Sequence, residues 1–176
     1  MERRNFVRNI GAGALFLGLG GVSYAFDRDK NKDKIKKYKK HITILHTNDT
    51  HSHIDPMPSD DPHYPDKGGV ARRAVLVEQV RRENPNTLLF DAGDIFQGTP
   101  YFNYYWGELE FRLMSMLKYD SATFGNHDFD NGIEGLLFQM PHAKFDFISS
   151  NYDFTNTVLE GKTKPYKVFE VDEVRI

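Results

Sequence analysis

Three short polar clusters hold most of the side chains in this sequence that could do chemistry: Asn48-Asp49-Thr50-His51, Asp91-Ala92-Gly93-Asp94 and Gly125-Asn126-His127-Asp128-Phe129-Asp130. They offer carboxylate, imidazole and amide donors, the hard-to-borderline set that holds divalent cations. There is no cysteine, which excludes disulfides, thiolate metal sites and cysteine nucleophiles, so any metal is held by nitrogen and oxygen. Taken singly, each cluster has a plainer meaning. Asp49 and His51 could mark a surface turn, Asp94 after Gly93 an Asx-turn or helix cap, and Asn126 a helix N-cap. In extended chain residues 49 and 51 point the same way and can share an ion. Taken together, three clusters that each follow a strand favour a metal site, because successive parallel strands bring their carboxyl ends to one edge of a sheet.

The elements needed to build that edge are legible. "HITILHTN" (41–48) is an apolar, β-rich run ending in polar residues, and a loop follows with four prolines among residues 54–66. Residues 68–84 place Val70, Ala74, Val77 and Val80 near one face of a helix that Pro85 ends. "TLLFDAGD" (87–94) is a second buried strand. Helical spacing returns from Glu108 to Tyr119 through Phe111, Met114 and Leu117, before a short strand "SATF" (121–124). Asn131 to Met140 reads as a third helix and "FDFISSN" (145–151) as a fourth strand. "YKVFEVDEVRI" (166–176) reads as a hairpin turning at Asp172-Glu173. The order β-α-β-α-β-α-β predicts an α/β layer with a mostly parallel sheet. The aromatic run Tyr101, Phe102, Tyr104, Tyr105, Trp106 is expected to pack against that sheet rather than stack a base.

With those residues in place, "ILHTNDTHSHIDP", "GGVARRA", "DAGDIFQGTP" and "GNHDFDNG" together resemble the calcineurin-like metallophosphoesterases, in their exported 5′-nucleotidase branch. The resemblance covers residues 41–176 and implies the first half of a four-layer αββα sandwich. It also implies two divalent metal ions (Mn, Co, Zn or Mg), with Asp49 and His51 on the first, Asp94 bridging and Asn126 on the second. His127 and Asp130 match the family's catalytic dyad, His127 stabilising transition-state oxygens or protonating the leaving alcohol. Asp91 and Asp128 match no ligand position and are expected to be structural. The implied activity is hydrolysis of nucleotide phosphate esters by a hydroxide held on two metals, with a small-molecule phosphate ester as partner. Two alternatives stand beside it: a non-catalytic metal- or partner-binding module, and a related hydrolase of cyclic nucleotides, nucleotide sugars or sulfur esters. The family completes its metal pair with later Gly-His and Gly-His-x-His segments, whereas no histidine follows His142 here. The sequence therefore reads as the N-terminal, truncated portion of such a domain, inactive alone, with one apolar sheet face left without its partner.

Charge and the N-terminus complete the reading. Residues 1–40 hold 11 Lys+Arg against 4 Asp+Glu, and residues 41–176 hold 12 against 21. An acidic body argues against a nucleic-acid partner. Arg3, Arg4 and Arg8 precede an apolar, Gly-rich run from Ile10 to Val22 and the small-residue pattern Ser23-Tyr24-Ala25, so residues 1–25 read as a signal peptide. "RRNFVR" resembles the twin-arginine signal. The apolar run is shorter than the roughly 20 residues that span a bilayer, so no stable membrane insertion is expected after cleavage, and the product would be periplasmic or at the cell surface. Residues 26–40, rich in lysine, read as a solvated linker.

Overall fold

The structure, a computed structural model, describes residues 40–176; the leader 1–25 and the linker up to residue 39 lie outside the described residues. Strand β1 (Thr43–Thr47) leads through the proline-rich loop to helix α1 (Val70–Glu83) and β2 (Thr87–Asp91). Helices α2 (Pro100–Tyr105) and α3 (Glu108–Met116) then precede β3 (Ser121–Ala122), a 3₁₀ turn over His127–Phe129, α4 (Gly132–Gln139) and β4 (Asp146–Phe147). A hairpin of β5 (Glu170–Val171) and β6 (Val174–Arg175) closes the chain. Among the described residues no helix is long and apolar enough to cross a membrane.

The α/β expectation holds: β1 to β4 form one parallel sheet in the order β1-β2-β3-β4. The register sets Leu45 beside Leu89, Asp91 beside Ala122, and Ala122 beside Phe147, so these residues share one face. Against that face pack Val77 of α1, Phe111 and Met114 of α3, and Leu136 of α4. Phe111 is fully buried, its ring centre 4.8 Å from Phe96 and 5.2 Å from Phe147, and Phe147 stacks on Phe124 at 4.7 Å. Each such buried side chain contributes about 2–3 kcal/mol by leaving water. Arg81 fastens α1 to the end of α3, donating to the carbonyls of Leu117 at 2.6 Å and Lys118 at 2.7 Å, where the helix dipole favours a cation.

Strands β3 and β4 are shorter than the sequence suggests, although the ladder runs on: Thr123 N–H donates to Asp91 at 3.0 Å and Ile148 N–H to Ala122 at 2.8 Å. Lys164 pairs with Ile148 at the edge of the sheet beside β4, and the opposite sheet face is partly covered by Phe169, whose ring lies 5.1 Å from Phe90. The hairpin turns at Asp172 and Glu173 as expected, both at positive φ (50° and 63°), which matches a two-residue turn to the strand twist. The aromatic run corrects the sequence reading. Pro100 starts a helix there and only Phe102 turns inward, leaving Tyr104 82% and Trp106 60% exposed.

Candidate metal centre

Beyond β1 and β2 the two segments stay paired as loops. Asp49 N–H donates to Gly93 O at 2.9 Å, His51 N–H to Asp94 O at 3.1 Å and Ser52 N–H to Ile95 O at 2.9 Å. The side chains of Asp49 and His51 do not converge by strand alternation. Asp49, His51 and Ser52 all have positive φ, of 51°, 45° and 53°, so the segment is a tight left-handed turn stabilised by those hydrogen bonds. The turn brings His51 Nε2 to 3.8 Å from Asp49 Oδ1 and 4.0 Å from Asp94 Oδ2. One donor atom from each of Asp49, His51 and Asp94 lies within 4.8 Å of the others. Two carboxylates and an imidazole so placed fit a divalent cation.

The third cluster crosses directly over the second. A Cβ on Gly93 would stand 2.3 Å from Gly125 N, and one on Gly125 would stand 2.0 Å from Asp94 Oδ1. The contact lets His127 N–H donate to Asp94 Oδ1 at 2.9 Å, so one oxygen of Asp94 is fixed while the other faces His51. Asp128 clamps the crossing. Its Oδ2 accepts from Asp94 N at 3.0 Å and Gly125 N at 2.8 Å, and its Oδ1 from Ile95 N at 2.9 Å and Phe96 N at 3.1 Å. Burial pushes the Asp128 carboxyl up to about 6, against the pull of those four donors. Asp91, also buried, accepts from Thr47 Oγ1 at 2.5 Å and Gly93 N at 2.9 Å, and burial raises its carboxyl. Both acids hold main chain, in line with the structural role expected of them.

His127 joins the same site, its ring centre 5.3 Å from that of His51. Its Nδ1 lies 3.0 Å from Asp130 Oδ2, and since the carboxylate can only accept, Nδ1 donates and Nε2 is the ring nitrogen left for another partner. That bond raises the His127 pKa and lowers that of Asp130. Gln97, which sequence reasoning left unassigned, donates through Nε2 to the same Asp130 oxygen at 3.2 Å. Asn126 precedes the 3₁₀ turn, yet its side chain makes no capping bond, so the helix-cap reading fails. It is exposed and lies one residue from the His127 N–H that binds Asp94. His53 is exposed, and its ring Nδ1 lies 3.0 Å from the His51 carbonyl.

Fold and site together define a class, a parallel α/β domain with a cluster of nitrogen and oxygen donors that could hold a metal ion at the carboxyl ends of its strands. More particularly, residues 42–174 match the calcineurin-like phosphoesterase family, and the chain belongs to it. It is 43% identical over 142 residues to human 5′-nucleotidase, covering 76% of this chain and 25% of that protein. A solved 5′-nucleotidase precursor from Thermus thermophilus is 40% identical with a TM-score of 0.70, covering 76% of this chain and 27% of the other. The NAD nucleotidase of Haemophilus influenzae gives 32% identity and a TM-score of 0.69, covering 76% of this chain and 25% of that one. The chain thus spans about a quarter of the length of these relatives.

Proposed function

We propose that this chain is the metal-binding N-terminal part of an exported 5′-nucleotidase that hydrolyses nucleotide phosphate esters with two divalent ions, of Mn, Co, Zn or Mg. Asp49 and His51 would hold one ion, Asp94 both, and the Asn126 amide oxygen the second. The observation that carries the reading is the meeting of Asp49, His51 and Asp94 donors within 4.8 Å, beside the hydrogen-bonded His127–Asp130 pair. When bound, the ions supply positive charge for phosphate oxygens and acidify water for attack on phosphorus.

The chain's own groups do the rest. Asp130 keeps the His127 ring in one tautomer and favours its protonated form, so Nε2 can pass a proton to the leaving alcohol oxygen. Asp128 and Asp91 keep the loop backbone from shifting while charge develops. The nucleotidase relatives support a nucleotide substrate, and the leader together with the precursor among the solved relatives supports export.

The test, in a longer chain that also carries the later Gly-His and Gly-His-x-His segments, is Mn²⁺ binding, followed through the resonance of the free ion, beside phosphate release from AMP. Asp94→Ala should abolish binding of both ions and Asp49→Ala of one. Undiminished Mn²⁺ stoichiometry in Asp94→Ala would refute the centre.

A further inference from the structure

Helix α3 buries an acid on its inward stripe. Glu110 shares that stripe with Met114 and Leu117, is 3% exposed, and neither of its carboxyl oxygens has a hydrogen-bond partner. Ser52, the residue after His51, is 1% exposed and its hydroxyl is also unpartnered. Both line one small, partly open pocket of about 20 Å³, together with Thr50, Ile95 and Tyr119. Burial pushes the Glu110 carboxyl above its usual range, and the Ser52 hydroxyl, close beside it but not at hydrogen-bonding geometry, most opposes the rise.

Buried polar groups without partners are rare because each has given up its water, and a cavity of this size with facing polar groups admits one water molecule. The main chain of Ser52 is already committed, its N–H to Ile95 at 2.9 Å and its carbonyl to Thr99 Oγ1 at 2.7 Å. Its left-handed φ of 53° is one a serine adopts only when its surroundings hold it there. The side chain is therefore what remains to fasten the turn inward. We propose that Ser52 and Glu110 form an internal site for a single water molecule that ties the His51 turn to α3, which makes Glu110 a positioning residue for His51. The positioning role rests on the metal-centre reading given above, whereas the water site does not.

The experiment has two arms on the purified protein. In EDTA, thermal unfolding is compared for Ser52→Ala, Glu110→Met and the double variant. A shared water predicts that the double variant loses no more than the larger single loss, because either change alone breaks the link. A loss equal to the sum of the two overturns the site. If Glu110→Met leaves the chain unfolded, Glu110→Gln replaces it in the same cycle.

In the second arm Mn²⁺ affinity is measured. Glu110→Met should weaken it about tenfold, the scale of supports that orient a ligand, while Glu110→Gln, which still binds a water, stays within about twofold of the parent. Parental affinity in Glu110→Met, or an equal loss in both variants, overturns the positioning role. A parent that binds no Mn²⁺ overturns the metal-centre reading and the positioning role with it, and the thermal cycle still decides the water site.

Discussion

Gly93→Ala isolates the crossing of the second and third clusters. Gly93 has φ 99°, and an added Cβ would meet Gly125 N at 2.3 Å and Phe124 C at 2.6 Å, both main-chain atoms that no rotamer change can move. The strained φ costs a side chain about 1–2 kcal/mol. Relieving the overlap parts the loops by about 1 Å, roughly the shortfall from ordinary van der Waals contact. The two bonds from Asp94 itself cross that gap, Asp94 N to Asp128 Oδ2 and His127 N to Asp94 Oδ1. Weakening buried bonds to charged acceptors costs about 1.5–3 kcal/mol each. The total is about 5 kcal/mol, or about 15 °C in Tm for a domain of this size. Gly161→Ala is the control, since Gly161 has φ 71° with nothing within 4 Å of its would-be Cβ, so it should lose only the 1–2 kcal/mol of strain, roughly 5 °C. Both Tm values come from thermal unfolding in EDTA, and equal losses in the two variants would refute the close-approach argument.

Other expectations are simpler. Lys167 and Lys164 bond Asp146 at 2.8 Å and 2.9 Å and hold its carboxyl below the usual range. The carboxylate's contribution to stability is therefore present above its unfolded pKa and is lost as pH falls through the lower folded value, so the gap in urea midpoint between the parent and Asp146→Asn should shrink between pH 5 and pH 3. In a longer chain that also carries the later Gly-His and Gly-His-x-His segments, His127→Asn should lower kcat on AMP strongly and leave Mn²⁺ content near parental if, as proposed, the group acts in the transition state; loss of bound metal would refute that role. Phe111→Ala should cost about 3–5 kcal/mol in urea unfolding, and a loss under 1 kcal/mol would mean that its ring is not the centre of the core.

The order of strands and helices was legible because apolar periodicity reports burial directly: Val77, Leu89, Phe111 and Phe147 all lie in the core that their spacing implies. The donors were legible because carboxylate and imidazole types cluster after strands. How they meet was not legible. Sequence alternation suggested extended chain at Asp49 and His51, but the hydrogen bonds to Gly93 and Asp94 impose a left-handed turn, a tertiary effect that local propensity does not carry. The four amides around Asp128 come from two segments and leave no local pattern either. Helix α2 escaped notice since its aromatic residues look like strand formers, whereas Pro100 at the first helical position decides otherwise. Glu110 could have been found, because the spacing that marks Met114 and Leu117 as inward marks it too.

Strand order bears on how the domain comes into being. Each strand of the sheet pairs with its neighbour in sequence, β1 with β2, β2 with β3 and β3 with β4. Among the described residues no strand waits for a later one to be inserted between it and its partner, so this part of the sheet can grow by accretion in the order in which a ribosome delivers it. The longest-range clasp comes last. Lys40, beside the first strand, bonds the Asp172 carbonyl and, at 2.8 Å, the Glu173 carboxylate in the hairpin turn. That clasp spans 133 residues, and closing so long a loop is slow unless the intervening sheet has already brought the two ends together.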